Sequence, residues 1–336
     1  MKAVRITETG GPEKLHVAEV PDPVPGPGEI LVRITRAAFN RRDVFITQGL
    51  YPGIELPRTL GSDGAGTVEA LGAGVSGPAA GTRVVINPML GWGPDPERCS
   101  PDSSILGMPK DGTFAELVVV PAENVVAKPA HLSDDEAAAI PLAGLTAYRA
   151  VFTRGRVTAD DVVLVTGVGG GVQTFVLQFA KSAGAKVVVT SSSDEKLARA
   201  TAMGADAAIN YATAENWAKS ARSACGGGGP SLVVDSAGGD AFAQALDIAR
   251  PNARVVTYGG TTAKSTVRMF SIFWKHLDIL GTSMGSPQDF SAMLALVERD
   301  QLRPAVDEIV PMADAAAAAE RVNAGKQFGK VVLAIA

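Results

Sequence analysis

Residues 166–173 read Thr-Gly-Val-Gly-Gly-Gly-Val-Gln, and what flanks them limits the fold more than any other feature of the chain. Before them stands Asp161-Val162-Val163-Leu164-Val165-Thr166, a β-branched apolar run that reads as a buried strand. After them, 174–183 has helical spacing, followed by a strand at 186–190 and a helix at 194–203. Further strands are expected at 232–235 and 254–258, with an edge strand at 279–281. This alternation predicts a parallel, doubly wound sheet. Glycine lets the chain turn sharply and approach a pyrophosphate closely, and the next helix then offers its free N–H groups to the phosphate oxygens. A dinucleotide site is therefore expected at Gly167, Gly169, Gly170, Gly171 and Val172. The usual third glycine, where helix packs on strand, is replaced by Gln173. The plain alternative is a glycine-rich structural turn.

The first part of the chain has a different grammar. Residues 1–125 hold short β-rich runs at 30–34, 66–71, 83–86 and 114–120, with Gly and Pro between them. Residues 87–112 read as one long irregular loop. Ser133 with Asp134, Asp135 and Glu136 forms a capping signature for an Ala-rich helix, and 137–152 reads as a buried helix. The tail 330–335 reads as a strand. At 336 residues, about two domains are expected. A net charge of -4 gives no general attraction to nucleic acid or to an acidic membrane. Two cysteines and three histidines exclude a disulfide framework and a four-cysteine zinc site. A reducing, cytoplasmic compartment is the simplest reading, with no signal peptide and no membrane span.

The end of the second strand speaks to the cofactor. NAD sites want a carboxylate there for the ribose 2′-OH. Here Ser191, Ser192 and Ser193 can hydrogen-bond a 2′-phosphate and Lys196 can neutralise it, which favours NADP(H). The ordinary use of the same residues is capping the next helix, and both uses are compatible.

These residues, with others, resemble the medium-chain dehydrogenase/reductase superfamily over essentially the whole chain. The resemblance rests on Gly10-Gly11-Pro12-Glu13, Pro25-Gly26-Pro27-Gly28-Glu29, Leu60-Gly61-Ser62-Asp63-Gly64-Ala65-Gly66, Gly112-Thr113-Phe114-Ala115-Glu116, Leu142-Ala143-Gly144-Leu145-Thr146-Ala147-Tyr148 and the glycine turn, in that order. It implies an α/β protein: a GroES-like β-rich catalytic domain over 1–125, to which 285–336 returns, and a Rossmann domain over 126–284. In zinc-type members a metal is held by Cys and His ligands. The matching positions here are Asn40, Ser62-Asp63 and Leu142, and only Cys99 stands in the region of the structural-zinc lobe. Such a set cannot supply a tetrahedral zinc site. The chain therefore looks like the zinc-free, quinone oxidoreductase-like branch, with no metal.

Metal-free hydride transfer needs a positioned nicotinamide and hydrogen bonds to the oxygen that gains charge. The resemblance puts Asn40 near the nicotinamide, with Tyr51 and Thr146 as further catalytic candidates. It implies cofactor contacts at Tyr211, Ser236, Ala237, Tyr258, Gly259, Phe328 and Lys330. Each has a bland alternative as a core aromatic, a strand-end turn or a satisfied local polar group. Asp43 with Arg41 or Arg42 can belong to the site, but the pair reads first as a surface ion pair. The expected function is an NADPH-dependent reductase of quinones or α,β-unsaturated carbonyls, acting on a small electrophile. The alternatives are an alcohol or aldehyde oxidoreductase, and a cofactor-binding sensor or structural protein with little turnover. A homodimer joined through the edge strand near 279–284 is expected from the resemblance.

Overall fold

Short runs of β-branched residues with no polar face suit strands covered on both sides, and the second half of the chain is built on such runs. In the computed structural model, which describes residues 1–262 and 264–335, the chain divides into two units. One comprises Met1–Ala143 and Ser286–Ala336, the other Gly144–Gly285.

The second unit is a six-stranded sheet in the order Ala207–Asn210, Lys186–Ser191, Val162–Val165, Leu232–Asp235, Arg254–Thr257, Asp278–Gly281. Every neighbouring pair is parallel. Numbered along the chain from Val162–Val165, the strands lie 3-2-1-4-5-6, the doubly wound order whose reversal point receives a ligand at the strands' carboxyl ends. Val163, Leu164, Val165, Val233 and Val234 are fully buried beneath the helices Gly171–Ser182 and Gly239–Ile248. The expected strand at 279–281 is present as Asp278–Gly281 and forms one edge.

In the first unit the strand Glu29–Ala38 is the spine. Asp63–Leu71 runs antiparallel along one side and sets Asp63 opposite Ala38. The other side is shared by Leu117–Pro121 and the C-terminal strand Lys330–Ala334, which sets Val332 opposite Ala38. Antiparallel register then carries Lys330 to the level of Asn40, just past the end of the spine. The core around it includes Val4, Ile34, Phe39, Leu60, Phe114 and Leu333, with the Phe39 and Phe114 rings 4.5 Å apart.

Two expectations change in detail. Residues 87–112 are largely irregular but hold a pair of two-residue strands, Met89–Leu90 and Ser104–Ile105. The helix expected over 137–152 is broken into Asp134–Ala139, Pro141–Tyr148 and a π-helical turn at Arg149–Arg154. Pro141 has no N–H to continue the first segment. Ser133 caps that segment as expected, accepting from Glu136 N–H.

Candidate active site

Three strand ends of the first unit bring together Asn40, Asp63 and Lys330, all buried. Lys330 Nζ donates to Asn40 Oδ1 at 2.6 Å and to Asp63 Oδ2 at 2.8 Å. Asn40 Nδ2 donates to the same Asp63 oxygen at 3.0 Å. Asp63 Oδ1 accepts the backbone N–H of Leu142 at 2.7 Å. A buried ammonium beside a carboxylate needs hydrogen bonds to both, and here the ammonium has two acceptors and the carboxylate three donors.

A second cation lies beside it. Arg42, expected at the surface, is only 8 % exposed, and Asp43 only 1 %. This is a correction: the short helix Arg41–Thr47 turns both inward. Arg42 Nη1 donates to Ser62 Oγ at 2.7 Å and to the Leu106 carbonyl at 2.9 Å, and Ser62 Oγ donates to the same carbonyl. Arg42 Nε donates to the Tyr51 hydroxyl oxygen at 3.3 Å, and its guanidinium carbon lies 4.8 Å from the centre of the Tyr51 ring, a cation–π arrangement. Asp43 Oδ2 accepts the Asn40 backbone N–H. Burial pushes the Asp43 carboxyl up to about 6, against the opposing pull of Arg42.

In the second unit the glycine turn has the backbone its sequence requires. Gly167 and Gly169 sit at φ 67 and 144, where a side chain is strained. A Cβ on Gly169 would lie 2.8 Å from Lys196 Cδ, so Lys196 arches over the turn. Gly170 begins the helix Gly171–Ser182 with no side-chain cap, which leaves the first N–H groups for an anion. Val172 follows in the first turn of that helix. Gln173, in place of the third glycine, donates through Nε2 to Ser236 Oγ at 2.7 Å and ties helix to strand end. Beside this turn a cavity of about 450 Å³ opens, lined by Thr166, Gly167, Thr190, Tyr211, Trp217 and Gly238 among others.

Ser193 caps the helix Asp194–Ala202 and accepts from Lys196 N–H, while Ser191 is buried and accepts from Ser193 N–H. Ser192 is exposed. Tyr211 is 45 % exposed at the cavity wall. Ala237 also lines the cavity, and Thr261 N–H and Thr262 N–H donate to the Ser236 and Ala237 carbonyls, which brings the turn after Tyr258 and Gly259 against them. Burial raises the Tyr258 hydroxyl far above its ordinary range, so it stays protonated. Thr146 is buried on the helix Pro141–Tyr148. Phe328 is buried in the first unit, its N–H donating to Asp307 Oδ1. Lys330, expected at the cofactor, has its ammonium on Asn40 and Asp63.

The profile of the alcohol dehydrogenase GroES-like domain matches residues 26–130, and that of the zinc-binding dehydrogenases matches 171–299. A zinc-type alcohol dehydrogenase-like protein of Leptosphaeria maculans is 36 % identical over 96 % of this chain and 94 % of its own. The chain belongs to the medium-chain dehydrogenase/reductase superfamily. Members of this superfamily are nicotinamide-dependent oxidoreductases, and the chain is one of them. A quinone oxidoreductase of Pseudomonas aeruginosa is 30 % identical over 99 % of both chains. The crystal structure of an NAD-dependent alcohol dehydrogenase superposes with TM-score 0.94 and 40 % identity, covering both chains fully.

Zinc is named in the family's own description, so the donor set decides whether it fits here. Asn40, Ser62 and Leu142 offer no thiolate, imidazole or carboxylate, and Asp63 already carries an ammonium. Among the described residues no group of three or more His, Cys, Asp or Glu side chains can hold a metal ion. The residues do not fit the metal. Cys99 is exposed, and burial pushes the Cys225 thiol up to about 11, far from a reactive thiolate. Among the described residues no helix is long and apolar enough to cross a membrane.

Sequence reasoning weighed Arg42 and Asp43 as site residues but preferred a surface ion pair, and it missed the pairing of Asp63 with Lys330. A signal for the first two was present: Asn40 and Asp43 have the spacing of a capping box, which turns the helix start toward the strand end. Nothing local announces the third.

Proposed function

We propose that the protein is an NADPH-dependent, zinc-independent reductase of quinones or α,β-unsaturated carbonyls. The observation that carries this reading is the Asn40–Asp63–Lys330 centre, a set of buried hydrogen bonds standing where metal ligands are expected. Without a Lewis acid, oxygen charge must be met by N–H donors. Enones and quinones suit such a site because their charge is delocalised, whereas an alkoxide needs a stronger stabiliser.

The second unit supplies the nicotinamide cofactor site, with the helix N-terminus at Gly171 and Val172 receiving the pyrophosphate. Lys196 above the turn and Ser192 at the surface support a 2′-phosphate reader, hence NADPH. When bound, the reduced cofactor supplies a hydride, two electrons, to the β-carbon of the enone or to a quinone. Asn40 Nδ2–H stabilises the oxygen that becomes negative. Tyr51, whose oxygen already accepts from Arg42, keeps its own O–H to protonate the product. Thr146 is assigned to the nicotinamide end.

A homodimer is part of this reading. Asp278–Gly281 leaves a free sheet edge, with Ile279 40 % exposed. A cytoplasmic site accords with two free cysteines. The second reading, an alcohol dehydrogenase, is favoured by the names of the Leptosphaeria relative and the solved structure. One assay separates them: NADPH and NADH oxidation with a panel of quinones and enones, with and without EDTA. Turnover with NADPH that EDTA leaves intact supports the reductase. EDTA-sensitive alcohol oxidation supports the second reading, and tight NADPH binding with no turnover a sensor.

A further inference from the structure

The position of Lys330 says more than that zinc does not fit. An ammonium only donates and a carboxylate only accepts. With Lys330 Nζ on one side and Asp63 Oδ2 on the other, the Asn40 amide has one allowed orientation: oxygen toward the lysine, nitrogen toward the aspartate. One N–H of that nitrogen is spent on Asp63, and the amide can offer a substrate only its second N–H. Without the lysine the amide oxygen loses its donor, and the single N–H to Asp63 is all that still holds the amide in place.

The same contacts close the position to a dication. Asp63 Oδ2 and Asn40 Oδ1 both carry the ammonium, Asp63 Oδ1 carries the Leu142 N–H, and Ser62 Oγ carries Arg42 Nη1. Every oxygen at the aligned ligand positions thus has a protein donor, and two of those donors are cations held within hydrogen-bond distance. A metal ion would have to displace a buried ammonium from its carboxylate.

Resting on the reductase reading, we infer that Lys330 is the positioning residue of the site: its ammonium takes the electrostatic place of the metal and fixes Asn40 as a hydrogen-bond donor to the substrate oxygen. It acts through Asn40, not on the cofactor. Lys330→Met then lowers kcat for an enone by about 100-fold, the loss typical of one oxyanion donor, while the NADPH dissociation constant, read by fluorescence, stays within about twofold. Lys330→Arg, which keeps the charge and the donors, restores most of the lost rate. Equal loss in both variants, an unchanged kcat in Lys330→Met, or NADPH affinity falling in step with kcat/KM overturns the inference.

A second arm needs neither a variant nor turnover. The full-length wild-type chain is titrated with cobalt(II) and followed by its visible d–d absorption. No tetrahedral spectrum is expected. A stoichiometric one overturns the inference whatever the activity assays give. If the wild type reduces no quinone or enone, the reductase reading fails by itself, and the cobalt arm still decides whether Lys330 holds the metal's place. If Lys330→Met does not fold, the cobalt arm remains decisive.

Discussion

The backbone N–H of Asn40 donates to Asp43 Oδ2 at 2.8 Å, and the carboxylate that receives it is almost wholly buried. Burial raises the Asp43 pKa to about 6, above its unfolded value of 3.8. The folded state therefore binds a proton that the unfolded state has released across this window, and Asp43 costs stability progressively as pH rises through it. Above about pH 6 that cost is complete. Asp43→Asn, which keeps an oxygen to accept from Asn40, is expected to raise the melting temperature at pH 7.5 by the equivalent of about 1–3 kcal/mol. The gain should shrink toward pH 4. A difference between variant and wild type that is flat across pH 4 to 7 contradicts the assignment.

Asn40 itself is the sharpest test of the oxyanion role. Asn40→Ala removes the donor and leaves Lys330 and Asp63 paired with each other. Loss of kcat by about 100- to 1,000-fold with enone substrates is expected, with NADPH affinity nearly unchanged. Asn40→Asp should be as inactive, because it offers only acceptors beside Asp63. Steady-state kinetics with direct cofactor titration checks both. A change confined to KM would place Asn40 in ground-state binding alone.

The second unit was legible because its signals are local. An apolar β-branched run, a glycine turn and helical spacing all lie within some 30 residues, and the strands 162–165 and 232–235 fall within a residue of their expected ends. The polar centre was not legible, because it depends on register between strands far apart in the chain. Asp63 and Lys330 lie 267 residues apart, and only the seating of both strands against Glu29–Ala38 brings them together. Arg42 and Asp43 were misread for a different reason. Charged residues are mostly exposed unless paired, and the partners of Arg42, Ser62 and the Leu106 carbonyl, come from other elements.

Cofactor choice follows from the side chain above the glycine turn. Lys196→Ala removes the cation and is expected to weaken NADPH binding by about tenfold while changing NADH little, as for the loss of one charge-assisted hydrogen bond. Gly169→Ala acts through the same contact from the other side. Its new methyl group meets Lys196 in a backbone conformation already unfavourable for alanine, so both cofactors should bind more weakly. Fluorescence titration with the two nucleotides separates the effects. Equal losses for NADH and NADPH in Lys196→Ala would remove the 2′-phosphate role.

The proposed homodimer is testable at a specific surface. The short helix Met269–Phe273 turns Met269, Phe270 and Phe273 outward, and Trp274 follows at 68 % exposed, its ring stacked on Phe270 at 5.4 Å. The helix precedes the edge strand Asp278–Gly281 by only a few residues. Contiguous aromatic surface of this kind is rare on monomers, and a free parallel edge beside it is open to pairing with another chain. Light scattering at micromolar concentration should give a dimer for the wild type. Phe270→Glu with Trp274→Glu, or Ile279→Lys on the edge strand, should shift it toward monomer without lowering the melting temperature of the unit itself. A wild-type monomer under those conditions, or a dimer indifferent to all three substitutions, would move the interface elsewhere or remove it.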